Sequence, residues 1–171
     1  GASPRDRVVL LCENSASYPV YDLAIMAIGA VKIPLNSMLT ASDIGDIAVR
    51  TTPTVAVVSP ALAHLATEIP DACTIIPGDV VAPGSAPVEP PAVGAVGPDD
   101  LSFVGFTGGT TGKPKGIVHH QAPMVLNMFA HIMEGGIGRD DHMLLTTPLP
   151  HAAGFLGAAA LLRGAHVRVE K

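Results

Sequence analysis

Short apolar runs alternate with helical patterns along the first half of the chain. Runs rich in branched apolar residues predict buried strands at Arg7–Cys12, Thr54–Ser59 and Cys73–Pro77. The segment Tyr18–Val31 has apolar residues every three or four positions, which predicts a helix ending near Gly29. The apolar positions that support this prediction are Val20, Leu23, Ala24, Ala27, Ile28 and Val31.

Two shorter helices are predicted from their start signals. Thr40 with Asp43 has the spacing of a capping box ahead of Ile44 and Ile47. A further helix is expected to begin at Ser59-Pro60 and to run to about Thr67. Strands that alternate with helices predict an α/β fold, a mostly parallel sheet layered with helices.

The second half of the chain continues the alternation. Strands are predicted at Leu101–Phe106, His142–Thr147 and Ala165–Glu170. Ala152–Leu162 is apolar on every helical face, which predicts a helix buried between layers. An earlier helix, ending at Gly135-Gly136, carries an apolar stripe that we expect to pack in the core. The stripe consists of Met124, Val125, Met128, Phe129, Ile132 and Met133.

A segment rich in proline and glycine separates the two halves. We expect residues 77–98 to form an exposed connection between a first β/α portion, residues 1–76, and a second, residues 99–171.

Composition narrows the classes of function. Of the 171 residues, 48% are hydrophobic and the formal net charge is −5, so neither nucleic acid nor an anionic membrane is an expected partner. No apolar run reaches the roughly 20 residues of a membrane-spanning helix. Cys12 and Cys73 lie in apolar contexts and are expected to be buried free thiols, as in a cytoplasmic protein.

The segment Phe106–Gly116, FTGGTTGKPKG, carries the chemistry most specific to this sequence. It holds four glycines, three threonines and two lysines, and no acid. Glycines permit close backbone approach, and hydroxyls and ammonium groups donate hydrogen bonds. With a strand predicted before it and a helix after it, the loop is expected to bind a polyphosphate. The alternative is a surface turn without a ligand.

Two common phosphate-binding patterns do not fit. In the nucleoside-triphosphatase pattern, Gly112-Lys113 would require a glycine where Thr107 stands and a hydroxyl where Pro114 stands. The dinucleotide pattern G-x-G-x-x-G also requires a glycine in place of Thr107.

A third pattern fits throughout. Phe106–Gly116 resembles the signature [YF]-T-[SG]-G-[ST]-T-G-x-P-K-G of the AMP-forming adenylating enzymes, the superfamily of acyl-CoA synthetases and peptide-synthetase adenylation domains. Ala24–Ile44 resembles the family's A-I-x-x-G-A-V-x-V-P-L-N segment, and Pro148–Phe155 resembles its P-L-x-H-x-x-G motif. The three segments stand in the family's order.

The resemblance implies a two-step ligase reaction. A carboxylate attacks the α-phosphate of Mg²⁺-bound ATP and releases pyrophosphate, and the acyl-AMP is then taken by a thiol, usually coenzyme A. Carried over by motif position, His151 and Gly154 would border the acyl pocket. The phosphate-binding residues would be Thr107, Gly108, Gly109, Thr110, Thr111, Gly112 and Lys115.

Lys113 occupies the variable position of the motif and is given a supporting role. No catalytic residue is assigned within the chain. No protein metal site is expected, because the histidines lack a cluster of ligands.

The resemblance covers only an interior part of the family's large N-terminal domain. We therefore expect the remainder of that domain and the C-terminal domain to be missing, and the chain to be inactive alone. Fatty, short-chain and aryl acids all remain possible substrates, in fatty acid metabolism or elsewhere. A non-catalytic nucleotide- or phosphate-binding module, an adenylation domain that loads a carrier protein, and a structural interaction protein are the alternatives.

Overall fold

The computed structural model describes residues 1–79, 96–107 and 114–170. The strands are β1 Arg7–Leu11, β2 Val31–Pro34, β3 Val55–Val58, β4 Thr74–Pro77, β5 Leu101–Thr107, β6 Lys115–His120, β7 His142–Leu145 and β8 His166–Val169. The α-helices are α1 Ser17–Ala27, α2 Ala41–Thr51, α3 Gln121–Gly135 and α4 Gly154–Leu162. A 3₁₀ helix covers Pro60–Leu65 and a π-helical turn covers Leu149–Ala153.

Six of these strands form one sheet in the order β4-β3-β1-β2-β5-β6. Every neighbouring pair is parallel except β5 and β6, which are antiparallel. Strands β7 and β8 form a separate parallel pair. The mostly parallel α/β fold is confirmed. Because parallel strands share a direction, the chain leaves β1, β2, β3, β4 and β5 at one common carboxyl edge.

The two faces of the large sheet are covered differently. Alternate residues of β1, such as Val9 and Leu11, pack with Ile44 and Ile47 of α2. The intervening residues, Val8 and Leu10, face α1, the small sheet and the π-helical turn. A strand with apolar residues on both sides therefore reads as an unbroken apolar run, which is why β1 was predictable.

The helix α1 forms as predicted but buries a different face. Its buried residues are Tyr18, Asp22 and Ile25, whereas Val20 is 45% exposed. Asp22 forms a buried ion pair with Lys32 of β2. The sequence prediction counted apolar residues only. It could not identify a buried face centred on Asp22, because the partner of that carboxylate, Lys32, comes from another element.

The strand β2 is absent from the sequence prediction, in which the helical pattern ran to Val31 and the helix was expected to end near Gly29. The helix ends at Ala27, and Gly29 adopts a left-handed backbone with φ of 67°. Gly29 therefore reverses the chain into β2, whose residues are all buried between β1 and β5. The apolar run crosses this turn without interruption, so periodicity alone placed the boundary too late.

The expectation that a helix directly follows the loop is also wrong. Lys115–His120 forms β6, which pairs with β5 as an antiparallel hairpin, and α3 begins only at Gln121. The start of α3 is therefore separated from the loop by the six residues of β6, and the predicted anion binding would depend on the loop's own donors.

The apolar stripe of α3 is only partly a core face. Met128 is buried and Ile132 packs with it against α4, but Phe129 is 61% and Met133 is 77% exposed. Helix α4 is likewise buried on part of its surface, at Gly154, Gly157 and Ala158–Ala160, whereas Leu162 is 60% exposed. Among the described residues, no helix has the length and hydropathy needed to cross a bilayer.

Polar contacts fix the starts of two elements. Arg5 donates to both carboxylate oxygens of Asp100, each at 2.9 Å, and so ties the N-terminal turn to the start of β5. The hydrogen bonds from Arg5 lower the pKa of Asp100 below its usual value, and a weaker contribution in the same direction comes from the Gly97 backbone N–H. Thr40 and Asp43 form the predicted capping box, in which Thr40 Oγ1 accepts from the Asp43 backbone N–H at 3.1 Å.

We expect the substitution Thr40→Ala to lower the free energy of unfolding by about 1 kcal/mol, because it removes the capping oxygen of α2. Urea denaturation measures the change. Ser42→Ala, on the exposed first turn of the same helix, is the matched control and should change stability by less than about 0.5 kcal/mol. Equal losses for the two variants would contradict a role for the cap.

Candidate functional site

The predicted phosphate loop connects the two strands of the β5–β6 hairpin. Thr107 and Lys115 are paired across the hairpin and both are exposed, so a hydroxyl and an ammonium group stand at its two ends. Gly108, Gly109, Thr110, Thr111 and Gly112 lie outside the described residues. The hairpin opens at the carboxyl edge of the sheet, where ligands of parallel α/β folds commonly bind.

Three contacts fix the base of this loop. Arg50 of α2 donates from Nη1 to the Pro114 carbonyl at 2.8 Å, and its guanidinium lies 5.3 Å from the centre of the Phe106 ring. A Cβ added at Gly116 would lie 3.1 Å from that ring, so glycine gives the aromatic side chain room across the hairpin. The first and last residues of the motif thus hold the loop's ends.

The side chain of Asn14 joins the two sheets at the carboxyl edge. Its Nδ2 donates to the Thr147 and Glu170 carbonyls, each at 3.0 Å, and its Oδ1 accepts from the Leu149 backbone N–H at 3.0 Å. Asn14 follows β1, Thr147 and Glu170 follow β7 and β8, and Leu149 begins the π-helical turn. One amide therefore fixes the position of the turn that carries His151.

The motif segments Ala24–Ile44 and Pro148–Phe155 contact each other through Asn36 and His151. Asn36, two residues after β2, has its Nδ2 at 3.0 Å from Nε2 of His151. Its Oδ1 accepts from the Met38 backbone N–H at 3.0 Å. His151 has non-helical backbone angles within the turn, φ −111° and ψ −152°, and its side chain is exposed. The imidazole thus stands at the carboxyl edge of the large sheet, next to β2.

Gly154, the last residue of the same motif, is buried where the turn meets α4. A Cβ at this position would lie 2.1 Å from the Leu149 carbonyl oxygen, which no side chain could tolerate. Glycine is therefore required for the backbone to close the turn. This local requirement explains the glycine without any ligand. That Gly154 borders an acyl pocket stays a prediction.

A cavity of about 470 Å³ opens beside these residues. Ser59 donates a hydrogen bond to Glu13 across the ends of β3 and β1. Burial raises the pKa of the Cys12 thiol to about 11, so this sulfur stays protonated and is unsuited to nucleophilic chemistry. The lining residues are Cys12, Glu13, Asn14, Asn36, Ser37, Ala61, Leu62, Thr146, Pro148 and Pro150.

A second cavity, of about 420 Å³, is apolar and lies between β5 and helices α1, α3 and α4. Lys32 borders it with its ammonium 5.4 Å from the centre of the Phe103 ring. Phe155, directly after Gly154, also lines it, but neither His151 nor Gly154 does. The two predicted acyl-pocket residues therefore do not line this apolar cavity.

The chemistry of the described side chains bears on the metal that the resemblance implies. No group of three His, Cys, Asp or Glu side chains among them could hold an ion. Thr107 could supply a neutral oxygen to a metal that arrives with a nucleotide, so the arrangement fits Mg²⁺ bound mainly by phosphate oxygens.

Sequence reasoning gave no role to three residues of this site, Asn14, Asn36 and Arg50, although Asn36 matches the last position of the A-I-x-x-G-A-V-x-V-P-L-N motif. Each asparagine follows a strand of the parallel sheet by two or three residues, so its position at the carboxyl edge was a usable signal once β1 and β2 were recognised. Arg50 carried no such signal, because its contact with Pro114 joins residues distant in sequence.

Comparison with known proteins identifies relatives of the whole chain. Residues 1–171 match the family described as AMP-binding enzyme. The chain is 29% identical to a feruloyl-CoA synthase of Amycolatopsis, over 98% of this chain and 34% of that protein. It is 28% identical to the nonribosomal peptide synthetase ivoA of Emericella nidulans, over 86% of this chain and 9% of that protein.

A solved structure agrees with these relatives. The N-terminal domain of FACL13 from Mycobacterium tuberculosis superposes with a TM-score of 0.80 at 26% identity, covering 98% of this chain and 44% of that one. The chain thus spans less than half the length of each of these proteins, and the predicted fold, a portion of an adenylating-enzyme N-terminal domain, is confirmed.

We expect Asn14→Ala to lower the free energy of unfolding by about 1–3 kcal/mol, because three partly exposed hydrogen bonds are lost together. Thermal or urea denaturation gives the value. Asn127→Ala, at an exposed position of α3, is the matched control and should be nearly neutral. An Asn14 variant as stable as this control would show that the amide does not hold the two sheets together.

Proposed function

Because the chain belongs to the AMP-binding enzyme family, we propose that it is the phosphate-loop portion of an enzyme that activates a carboxylic acid. That enzyme forms acyl-AMP and pyrophosphate from ATP and the acid, and then transfers the acyl group to coenzyme A. The observation that supports this proposal best is the hairpin, which presents a hydroxyl and an ammonium group on either side of a glycine- and threonine-rich loop.

The proposed role of the hairpin is to stabilise departing pyrophosphate. Negative charge builds up on the β- and γ-phosphates as the bond to the α-phosphate breaks, and donors aimed at those oxygens lower the barrier. Thr107 and Lys115 would donate from the ends of the loop. Gly108, Gly109 and Gly112 would donate through backbone N–H groups, and Thr110 and Thr111 through their hydroxyls as well.

The acid is proposed to bind near the carboxyl end of β2. His151 is exposed there beside Asn36, and the cavity next to it contains neutral donors such as Ser37. Gly154 keeps the backbone of the π-helical turn compact beneath this position. The nucleotide's reactive phosphate and the acid's carboxylate would then meet along one edge of the sheet.

The peptide-synthetase relative favours one alternative acceptor. An adenylation domain would pass the acyl group to the thiol of a carrier protein instead of coenzyme A, and the same hairpin would serve the first step. A non-catalytic nucleotide- or phosphate-binding module is the second alternative, since the sequence motifs assign no catalytic residue to this chain.

Exchange of labelled pyrophosphate into ATP, dependent on an added acid, tests the proposal in the full-length protein. We expect Lys115→Ala to lower the exchange rate about tenfold or more, because one charged donor to phosphate is lost. Lys113→Ala is the control for charge alone and should have the smaller effect. Stability should stay within about 0.5 kcal/mol, since Lys115 is exposed.

Two outcomes would contradict the proposal: no exchange by the unaltered protein with fatty, short-chain and aryl acids, or a Lys115→Ala variant with an unchanged rate.

The 171-residue chain alone is expected to bind pyrophosphate without catalysing exchange. Isothermal calorimetry with pyrophosphate, and the exchange assay on the same sample, separate binding from turnover. Exchange by the chain alone at the full-length rate would refute the incomplete-enzyme interpretation. Binding by a full-length protein that never catalyses exchange would instead support the non-catalytic module.

A further inference from the structure

We propose that Asn36 is a positioning residue that fixes the tautomer of His151, so that this imidazole presents Nδ1–H, and not Nε2–H, to the ligand. The tautomer is a property of the chain itself. Only the identity of the ligand, the carboxylate of the acid, rests on the function proposed above.

The orientation of the Asn36 amide is determined by its second contact. The Met38 backbone N–H lies 3.0 Å from Oδ1 of Asn36, and a backbone N–H can only donate. The atom facing it must therefore be the amide oxygen. A reversed amide would place two donors against each other, so the nitrogen, Nδ2, is the atom that faces His151.

The orientation of the amide in turn determines the state of the imidazole. Nδ2 of Asn36 carries two protons and no lone pair available for a hydrogen bond, so at 3.0 Å it must donate to Nε2 of His151. Nε2 is then the unprotonated nitrogen of a neutral ring. The ring proton resides on Nδ1, for which no partner is present among the described residues.

The backbone on both sides of the contact is held in place. Asn36 is 9% exposed and follows the buried strand β2. His151 lies in a turn whose first residue, Leu149, donates its backbone N–H to Asn14 at 3.0 Å. The Asn36–His151 pair therefore joins two fixed elements, while the His151 side chain remains exposed to a ligand.

The chemical consequence concerns recognition of an anion. A neutral imidazole offers one donor and one acceptor, and an acceptor nitrogen turned towards a carboxylate would repel it. With Nε2 engaged by Asn36, the nitrogen left for a ligand is a donor, Nδ1–H, which suits a carboxylate oxygen. Asn36 would thus act on the acid through His151 without touching it.

The substitution Asn36→Asp tests the tautomer directly. The variant replaces the donor Nδ2 with an oxygen that only accepts, so His151 must donate from Nε2. Long-range ¹H–¹⁵N NMR of the 171-residue chain at mildly alkaline pH reports which ring nitrogen carries the proton. A His151→Gln variant assigns the signal, and Asn127→Asp, the same chemical change on the exposed surface of α3, is the matched control.

We expect Nε2 of His151 to be unprotonated in the original chain and in Asn127→Asp, and protonated in Asn36→Asp. A protonated Nε2 in the original chain would overturn the proposal, even if the aspartate variant failed to fold. An unprotonated Nε2 in a folded Asn36→Asp variant would overturn it as well.

A kinetic measurement on the full-length protein tests the positioning role. Asn36→Asp is expected to raise KM for the acid about tenfold, the effect of losing one charge-assisted hydrogen bond, and to leave KM for ATP nearly unchanged. A parallel rise in both constants, or an unchanged KM for the acid, would overturn the positioning role. If the full-length protein shows no adenylation but the NMR result is as expected, the proposed function is rejected and the tautomer assignment stands.

Discussion

Two features place the described residues of the candidate site: the common carboxyl edge of the parallel strands, where Thr107 lies, and the Asn14 amide, which joins the small sheet to that edge. Parallel pairing brings the ends of β1, β2, β3 and β5 together, although they are far apart in sequence. The three hydrogen bonds of Asn14 then place the turn carrying His151 at this edge. Without them, only the Asn36–His151 contact and non-directional apolar packing are described as holding the turn to the large sheet.

Hydrophobic pattern and capping signals were sufficient for most of the fold. The capping box at Thr40 and the apolar run of β1 express local requirements, so the sequence displays them directly. The strand β2 and the face of α1 depend on a tertiary contact, the buried Asp22–Lys32 pair, which lies outside any apolar pattern. The predicted phosphate loop was proposed from its residues alone, whereas the hairpin that holds its two ends arises from the pairing of β6 with β5.

In the candidate site, too, local motifs were visible in the sequence and tertiary contacts were not. The motif identified Thr107, Lys115, His151 and Gly154 as residues of interest. It did not reveal Asn36 as the partner of His151, because an asparagine after a strand is an ordinary turn residue until the sheet order is known. The exposure of Phe129 and Met133 contradicts the sequence prediction, which placed the whole apolar stripe of α3 in the core. An apolar stripe indicates a surface to be covered but not what covers it.

Amide NMR of the ¹⁵N-labelled chain, titrated with Mg²⁺-bound ATP, tests most directly whether the carboxyl edge binds the nucleotide phosphates. The largest shifts are expected at Thr107, residues 108–113 and Lys115, with smaller shifts at Asn36 and His151. Shifts confined to the apolar cavity between β5 and the helices, with those amides unaffected, would contradict a phosphate site in the hairpin.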